Sequence, residues 1–359
     1  MKTSQKIWIL LGAFTLLLRW IAGARPDWTE RFYSRGLFIG IRNVIDYGLA
    51  WLPFPLAYLV IPGVLIWVGV SVYRWYRRRE GVWGKIKSAG AGILSFLGGV
   101  VFFFFFLWGF NYSRIPLEQQ LDLQPQPLTT EELREEFDLA TTALMAARAL
   151  IPEASDAALD YRPEARPLEQ QLRGEVAAWL QSHGYYAGGR VRGRQLYPKG
   201  ALLRFGTAGI YFPFSGEGHA DAGLHALQLP SVLAHELAHG FGFGDEGVCN
   251  YIAYAACVHS DDPVIAYASI LSFWRTLAAQ YRARRPDDYR QLREALPAGI
   301  RADIDAINQT MLAYPDIFPR FRDAAYNTYL KAQGVREGML SYDKVVMLVR
   351  AERLAAAGR

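Results

Sequence analysis

One HExxH motif stands out in the chain, formed by His235, Glu236 and His239. Residues four apart lie on one face of a helix, so the two imidazoles can share a metal ion. Glu236 projects about 100° around the same helix, where its carboxylate can reach a water on the metal and act as a general base. Pro230 fits the start of such a helix and Gly240 its end. The pattern predicts a metal-dependent hydrolytic site.

Two imidazoles, one carboxylate and an open position are the donor set that zinc favours, so a third protein ligand is needed. Glu246 begins a Glu-x-x-small-Asn stretch that ends at Asn250, a pattern typical of helical metallopeptidases whose third ligand comes from a second helix. Asp245 also has a suitable spacing, but it equally fits the N-cap of a helix over residues 246–258. We expect Glu246 as the ligand, with Asp245 as the alternative. Asn250 is expected to hydrogen-bond to a ligand.

Peptide hydrolysis also needs a hydrogen-bond donor that stabilises the developing oxyanion and a site that binds the backbone of the substrate. Tyr342 is the first candidate for the donor and Tyr329 the second. Gly209, Ile210 and Tyr211 lie in a short alternating stretch upstream of HExxH. We expect this stretch to be an edge strand that pairs with an extended peptide substrate.

The elements that must position these residues begin after residue 110. Residues 111–127 are rich in Gln and Pro and are expected to form a linker. Capping residues and apolar spacing predict helices over residues 129–150 and 168–181. Residues 201–205 and 209–214 alternate as short strands do, and most of the chain after Pro230 is expected to be helical. The soluble domain is therefore expected to span residues 128–359, as an α+β, mainly helical domain with a small β-sheet.

Residues 1–110 differ sharply in composition, with three long apolar runs at about 7–23, 49–73 and 90–110. The second and third are long enough to cross a hydrocarbon core of about 30 Å. Prolines in the second run and five consecutive phenylalanines in the third suit membrane spans better than helices of a soluble core. We therefore expect a membrane domain with three transmembrane helices and a lipid bilayer as its partner.

Basic residues give the expected orientation in the membrane. Residues 74–87 hold six Lys or Arg and one Glu, which predicts a cytoplasmic loop and a cytoplasmic N-terminus. The loop over residues 24–48 and everything after residue 110 should then be extracytoplasmic. The first run also resembles a cleaved signal peptide, but Arg19 interrupts its end and favours an uncleaved span. The excess of Lys and Arg over Asp and Glu lies in residues 1–110, beside the apolar runs, so it gives no reason to expect nucleic-acid binding.

With these landmarks the sequence resembles the bacterial membrane proteins grouped as domain of unknown function 3810. That family has N-terminal spans followed by an HExxH domain similar to gluzincin-type metallopeptidases, which implies the bacterial cell membrane and a zincin-like fold. Its usual Glu-x-Glu-Ala-Asn pattern is altered here, with Val248 and Cys249 at its third and fourth positions. Matching segments outside the metal motif lie at residues 111–117, 197–200, 209–217, 250–254, 329–335 and 341–346.

The expected function is that of a membrane-anchored zinc metallopeptidase in which Glu236 is the general base. The alternative is a non-catalytic membrane sensor or assembly protein with a structural or relic zinc site. The retention of Glu236 argues against this alternative, because a purely structural site needs no base. The sequence identifies neither the peptide substrate nor the oligomeric state.

Overall fold

The computed structural model describes residues 1–49, 51–151, 156–319, 324, 328 and 344–358. These residues are mainly helical and contain one three-stranded sheet, as the sequence predicts. The described α-helices are α1 (Thr3–Ala24), α2 (Pro26–Trp28), α3 (Phe38–Leu49), α4 (Ala57–Tyr76), α5 (Val82–Leu107), α6 (Leu117–Gln120), α7 (Thr130–Ala149), α8 (Ala165–Ser182), α9 (Leu229–Gly240), α10 (Glu246–Cys257), α11 (Pro263–Arg284), α12 (Pro286–Glu294), α13 (Ala298–Leu312) and α14 (Lys344–Ala356). The strands are β1 (Arg192–Leu196), β2 (Gly209–Phe212) and β3 (Glu217–Asp221).

Three helices, α1, α4 and α5, are long and apolar enough to cross a membrane. The second begins at Ala57 instead of residue 49, because Pro53 and Pro55 cannot continue a helix. The third covers Val82–Leu107 instead of residues 90–110. It starts earlier because Lys85 and Lys87 are compatible with helical backbone, although they do not belong to the apolar run.

The chain divides into two compact units, of which the first comprises Met1–Ile115 and Phe212–Glu217. Within this unit α1 packs closely against α5. A Cβ on Gly98 would lie 2.3 Å from the carbonyl oxygen of Trp8, and a Cβ on Gly12 would lie 2.5 Å from the Cα of Gly98. Such backbone contact is possible only with glycine and is common between membrane helices, where small residues bring backbones together.

The segment expected to be an extracytoplasmic loop, residues 24–48, is helical over nearly its whole length. It consists of α2, a π-helix over Thr29–Leu37 and α3. Helices α1 and α2 are separated only by Arg25. The connection expected between the first two spans is therefore folded, and three of its ionisable residues are buried: Glu30, Arg42 and Asp46 are each at most 5% exposed.

The second unit comprises Pro116–Tyr211 and Gly218–Arg359. Helix α7 starts as predicted, with Thr129 as N-cap accepting the backbone N–H of Glu132. Helix α10 packs against α8, α9 and α14, which places it in the centre of the unit. The segment expected as a linker, residues 111–127, is partly ordered into this unit: α6 lies in it, and Leu117 and Leu123 belong to the core.

The sheet of the second unit has the order β1-β3-β2, so β2 is an edge strand that is hydrogen-bonded to β3. Residues 201–205 do not form the predicted strand; Leu203–Phe205 is a short 3-10 helix. The reason is the buried carboxylate of Asp221, which accepts the backbone N–H groups of Leu202 at 2.6 Å and Leu203 at 3.1 Å. Those donors are therefore not available to a sheet.

Candidate metal centre

Helix α9 brings the two histidines of the motif together. Pro230 occupies its first turn and Gly240 its last position. His235 and His239 are one turn apart, and their Nε2 atoms lie 3.1 Å from each other. Both imidazoles therefore point into one small space, as their spacing predicts.

Glu246 reaches the same space from the first turn of α10. The chain reverses between the two helices through Gly242, whose φ of 96° belongs to the left-handed region that glycine tolerates. The Oε2 atom of Glu246 lies 3.1 Å from Nε2 of His235 and 3.4 Å from Nε2 of His239. All three side chains are largely buried, and together they could hold a metal ion.

The distances among these atoms fit the geometry of a metal ligand set. For donors at about 2.1 Å from a tetrahedral metal, neighbouring donors are separated by about 3.4 Å. The three observed separations are 3.1, 3.1 and 3.4 Å. Two imidazole nitrogens and one carboxylate oxygen at this spacing suit zinc and similar divalent ions.

The other nitrogen of each imidazole has an acceptor that fixes the ring. Nδ1 of His235 lies 2.8 Å from Oδ1 of Asn250, and Nδ1 of His239 lies 2.8 Å from the carbonyl oxygen of Phe243. When Nδ1 donates to an oxygen, the lone pair of Nε2 is directed at the cluster. Asn250 thus makes the contact that its position one turn after Glu246 predicts.

Cys249 was not singled out as a site residue, but it lies beside the centre. Its Sγ is 3.4 Å from Nδ1 of His239 and 3.4 Å from the carbonyl oxygen of Phe243. Burial raises the pKa of the Cys249 thiol to about 11, so it stays neutral at physiological pH. Cys249 therefore presents a small neutral group of α10 to the His239 ring.

Glu236 is adjacent to the cluster without belonging to it. Its carboxyl group is buried, and the Oε2 atom has no hydrogen-bond partner among the residues that the structure describes. Burial raises the pKa of Glu236 to about 7, although the charges of His235 and His239 oppose this rise. Burial also raises the pKa of Glu246. The charge of His239 and hydrogen bonds from both imidazoles outweigh this effect and hold the pKa of Glu246 well below the usual range.

Two glycines of the sheet surround Glu236 and were not recognised as a pair from the sequence. A Cβ on Gly209 would lie 2.5 Å from Oε1 of Glu236, and a Cβ on Gly218 would lie 2.5 Å from its Cβ. The sheet therefore lies directly against this side of α9. No local pattern signals such a contact, because it joins residues that are distant in the sequence.

Two further predicted site residues, Asp245 and Tyr211, lie outside the metal cluster. Asp245 is the N-cap of α10: its Oδ1 accepts the backbone N–H of Val248 at 2.9 Å, and its Oδ2 lies 3.3 Å from Nζ of Lys344. Its carboxylate is not a member of the metal cluster. Tyr211 lies on β2, with its ring 6.3 Å from that of His239. Tyr342 and Tyr329 lie outside the described residues.

Comparison with known proteins gives a family match. No curated protein and no solved structure matches the chain. The family model described as "Protein of unknown function (DUF3810)" matches residues 33–350, which include α4, α5, the sheet and the metal cluster. Because this match covers most of the sequence, the chain belongs to the DUF3810 family.

Proposed function

We propose that this protein is a membrane-anchored zinc metallopeptidase. The observation that carries the proposal is the convergence of His235, His239 and Glu246 beside the buried carboxyl group of Glu236. Structural zinc sites are usually closed by four protein ligands, whereas catalytic sites have three and keep one position open. Among the described residues Oε2 of Glu236 has no hydrogen-bond partner, and a buried polar atom without a partner destabilises the fold, so a structural role does not account for this side chain.

Each group in the site has a distinct chemical role in this proposal. Zinc, when bound by His235, His239 and Glu246, supplies a Lewis acid that activates water and polarises a carbonyl. Glu236 accepts one proton from the attacking water at Oε2, while the water oxygen bonds to the peptide carbonyl carbon. The C–N bond then breaks, and Glu236 returns the proton to the leaving amine. Asn250 holds His235 in the required tautomer.

The substrate is proposed to be an extended peptide bound along β2. This strand is at the edge of the sheet, and Gly209 lies next to Glu236. A peptide that adds to an edge strand is held by main-chain hydrogen bonds. Tyr211→Pro removes a backbone donor, whereas Tyr211→Ala keeps it. Cleavage should be lost in the first variant and largely kept in the second; equal activity of the two would contradict this binding mode.

The orientation in the membrane is proposed from the basic residues between α4 and α5. A cytoplasmic position of this connection places the second unit outside the cytoplasm. Cysteines introduced at Trp83 and Leu150, both highly exposed side chains, provide a test. In intact cells an impermeant maleimide should label position 150 and not position 83; the reverse labelling would overturn the orientation.

The decisive experiment combines metal analysis with cleavage of a peptide library. The full-length chain in detergent is the appropriate material, because residues 212–217 of the sheet region belong to the first unit. We expect one zinc per chain, lost in Glu246→Ala and kept in Glu236→Gln, while cleavage disappears in both. His183→Ala, on a histidine that stacks on Trp179, serves as the matched control and should change neither. Zinc without cleavage of any peptide would refute the peptidase, and absence of zinc would refute the metal site.

A further inference from the structure

In the helical segment over residues 26–49, several large apolar side chains are exposed while three ionisable side chains are buried. Large apolar side chains project outward: the exposed fractions are 62% for Phe32, 74% for Val44 and 60% for Tyr47. Trp51, just beyond the segment, is 74% exposed. A helix that packs on a protein in water buries its apolar side chains and exposes its charges. Asp27, Arg31 and Arg35 of this segment are exposed in that way, but its other three ionisable side chains are buried while large apolar side chains project outward.

Three ionisable side chains, Glu30, Arg42 and Asp46, occupy the inner side of the same segment. The Glu30 carboxylate accepts two hydrogen bonds from Arg114, at 3.0 and 2.7 Å, and is 5% exposed. Arg42 and Asp46 are 3% and 1% exposed and lie 3.6 Å apart. Charged residues at membrane depth are arranged in this way, facing the protein interior and pairing with one another.

The backbone of the segment maintains this arrangement. Over Thr29–Leu37 the helix has π-type hydrogen bonding, which is rare in proteins and changes the residue spacing per turn. As a result Thr29, Glu30, Tyr33 and Ser34 are all buried on one side. The Tyr33 hydroxyl donates to the carbonyl oxygens of Phe105 and Phe106 at the end of α5. The inner face is therefore fixed against a helix of membrane length.

The residue types on the outer face suit the boundary between lipid tails and headgroups. Trp and Tyr are enriched at this depth in membrane proteins. The guanidinium of Arg25 lies 4.4 Å from the ring centre of Trp28, and that of Arg31 lies 5.4 Å from the ring centre of Phe32. Arginine stems can thus cover apolar surface while their heads reach phosphate groups.

We propose that residues 26–49 form a membrane-embedded interfacial element whose outer face contacts lipid, in addition to the three membrane-length helices. The element continues from α1 with a break of one residue, so its start is fixed where that helix ends. It enters the bilayer without crossing it, because the apolar face is exposed only on one side. This element is independent of the metal centre and of the activity proposed for it.

Collision measurements with nitroxide labels test the proposal on the full-length chain in phosphatidylcholine–phosphatidylglycerol liposomes. Labels are placed on single cysteines introduced at Phe32, Val44 and Tyr47. Leu65, which is 65% exposed on α4, serves as the lipid reference, and Leu150, which is 72% exposed on the second unit, serves as the water reference. The native cysteines are buried, so the unsubstituted chain gives the background of labelling.

We expect the ratio of oxygen to nickel-complex collisions at all three positions to approach that at Leu65 and to exceed that at Leu150 severalfold. A ratio like that at Leu150 would show that the segment lies in water and would overturn the proposal. Low collision rates with both reagents would show that protein covers this face, as in an association of two copies, and would overturn it as well. Because the labelled side chains already project outward, the substitutions leave the buried ion pairs intact.

Discussion

Substitution of Gly209 by alanine tests whether the position of the Glu236 carboxyl group is essential. The new Cβ would lie 2.5 Å from Oε1 of Glu236, whereas an ordinary contact is at least 3.4 Å. The carboxyl group must therefore withdraw by about 1 Å, a displacement that can lower the rate of a positioned reaction by about 100-fold. This corresponds to about 2.7 kcal/mol of transition-state stabilisation. The three closest atoms belong to Glu236 and to the carbonyl of His219, and none of them belongs to a metal ligand.

The assay compares zinc content and kcat/KM for a cleaved peptide in the wild-type chain and two variants. Gly209→Ala should keep its zinc and lose about two orders of magnitude in kcat/KM. Gly174→Ala, on α8 of the same unit, is the matched control, because a Cβ there meets no atom within 4 Å. Full activity of Gly209→Ala would refute the assignment of Glu236 as the base. Loss of zinc would instead mean that the sheet supports the ligands themselves.

Three further substitutions address the ligand support and the core. Asn250→Ala removes the acceptor of His235 and should weaken zinc binding by about 10–100-fold in a chelator competition, with partial recovery in Asn250→Asp. Asp245→Asn keeps the helix cap and should keep full zinc occupancy by elemental analysis; loss of zinc would favour Asp245 as the ligand. Asp303→Ala removes the carboxylate that pairs with the buried Arg148 and should lower the free energy of unfolding by about 3–5 kcal/mol in a denaturant titration; a smaller change would contradict the role of this ion pair.

The metal cluster could be predicted because its parts are local. His235 and His239 are four residues apart on one helix, and Glu246 follows after a single turn with a glycine. Helical periodicity and capping rules determine the geometry over such short distances. The same local rules predict the N-terminal cap at Thr129 and the three apolar spans, although the second span begins later than predicted, at Ala57, and the third begins earlier, at Val82.

The contacts around Glu236 could not be predicted, since they depend on how the sheet packs on α9. In the sequence Gly209 and Gly218 look like ordinary glycines of a strand or turn. Only the structure shows that the side chain of Glu236 lies against both. The buried pairing of Glu30 with Arg114 could not be predicted for a related reason, because it joins residues 84 positions apart. Long-range pairing of this kind has no signature in a single sequence.

Stability measurements can separate a catalytic from a purely structural metal site. The buried Oε2 of Glu236 lacks a partner among the described residues, and such an atom costs about 1–3 kcal/mol. An amide of the same shape carries no charge, so Glu236→Gln should raise the Tm of the metal-free chain by about 2–4 °C for each kcal/mol recovered. Glu169 is also buried, but it accepts hydrogen bonds from Arg173 and the backbone of Gly193, so Glu169→Gln should lower the Tm. Residues that lower stability are retained where function requires them. A lower Tm for Glu236→Gln would mean that the carboxyl group stabilises the fold, and its presence would then no longer argue for catalysis.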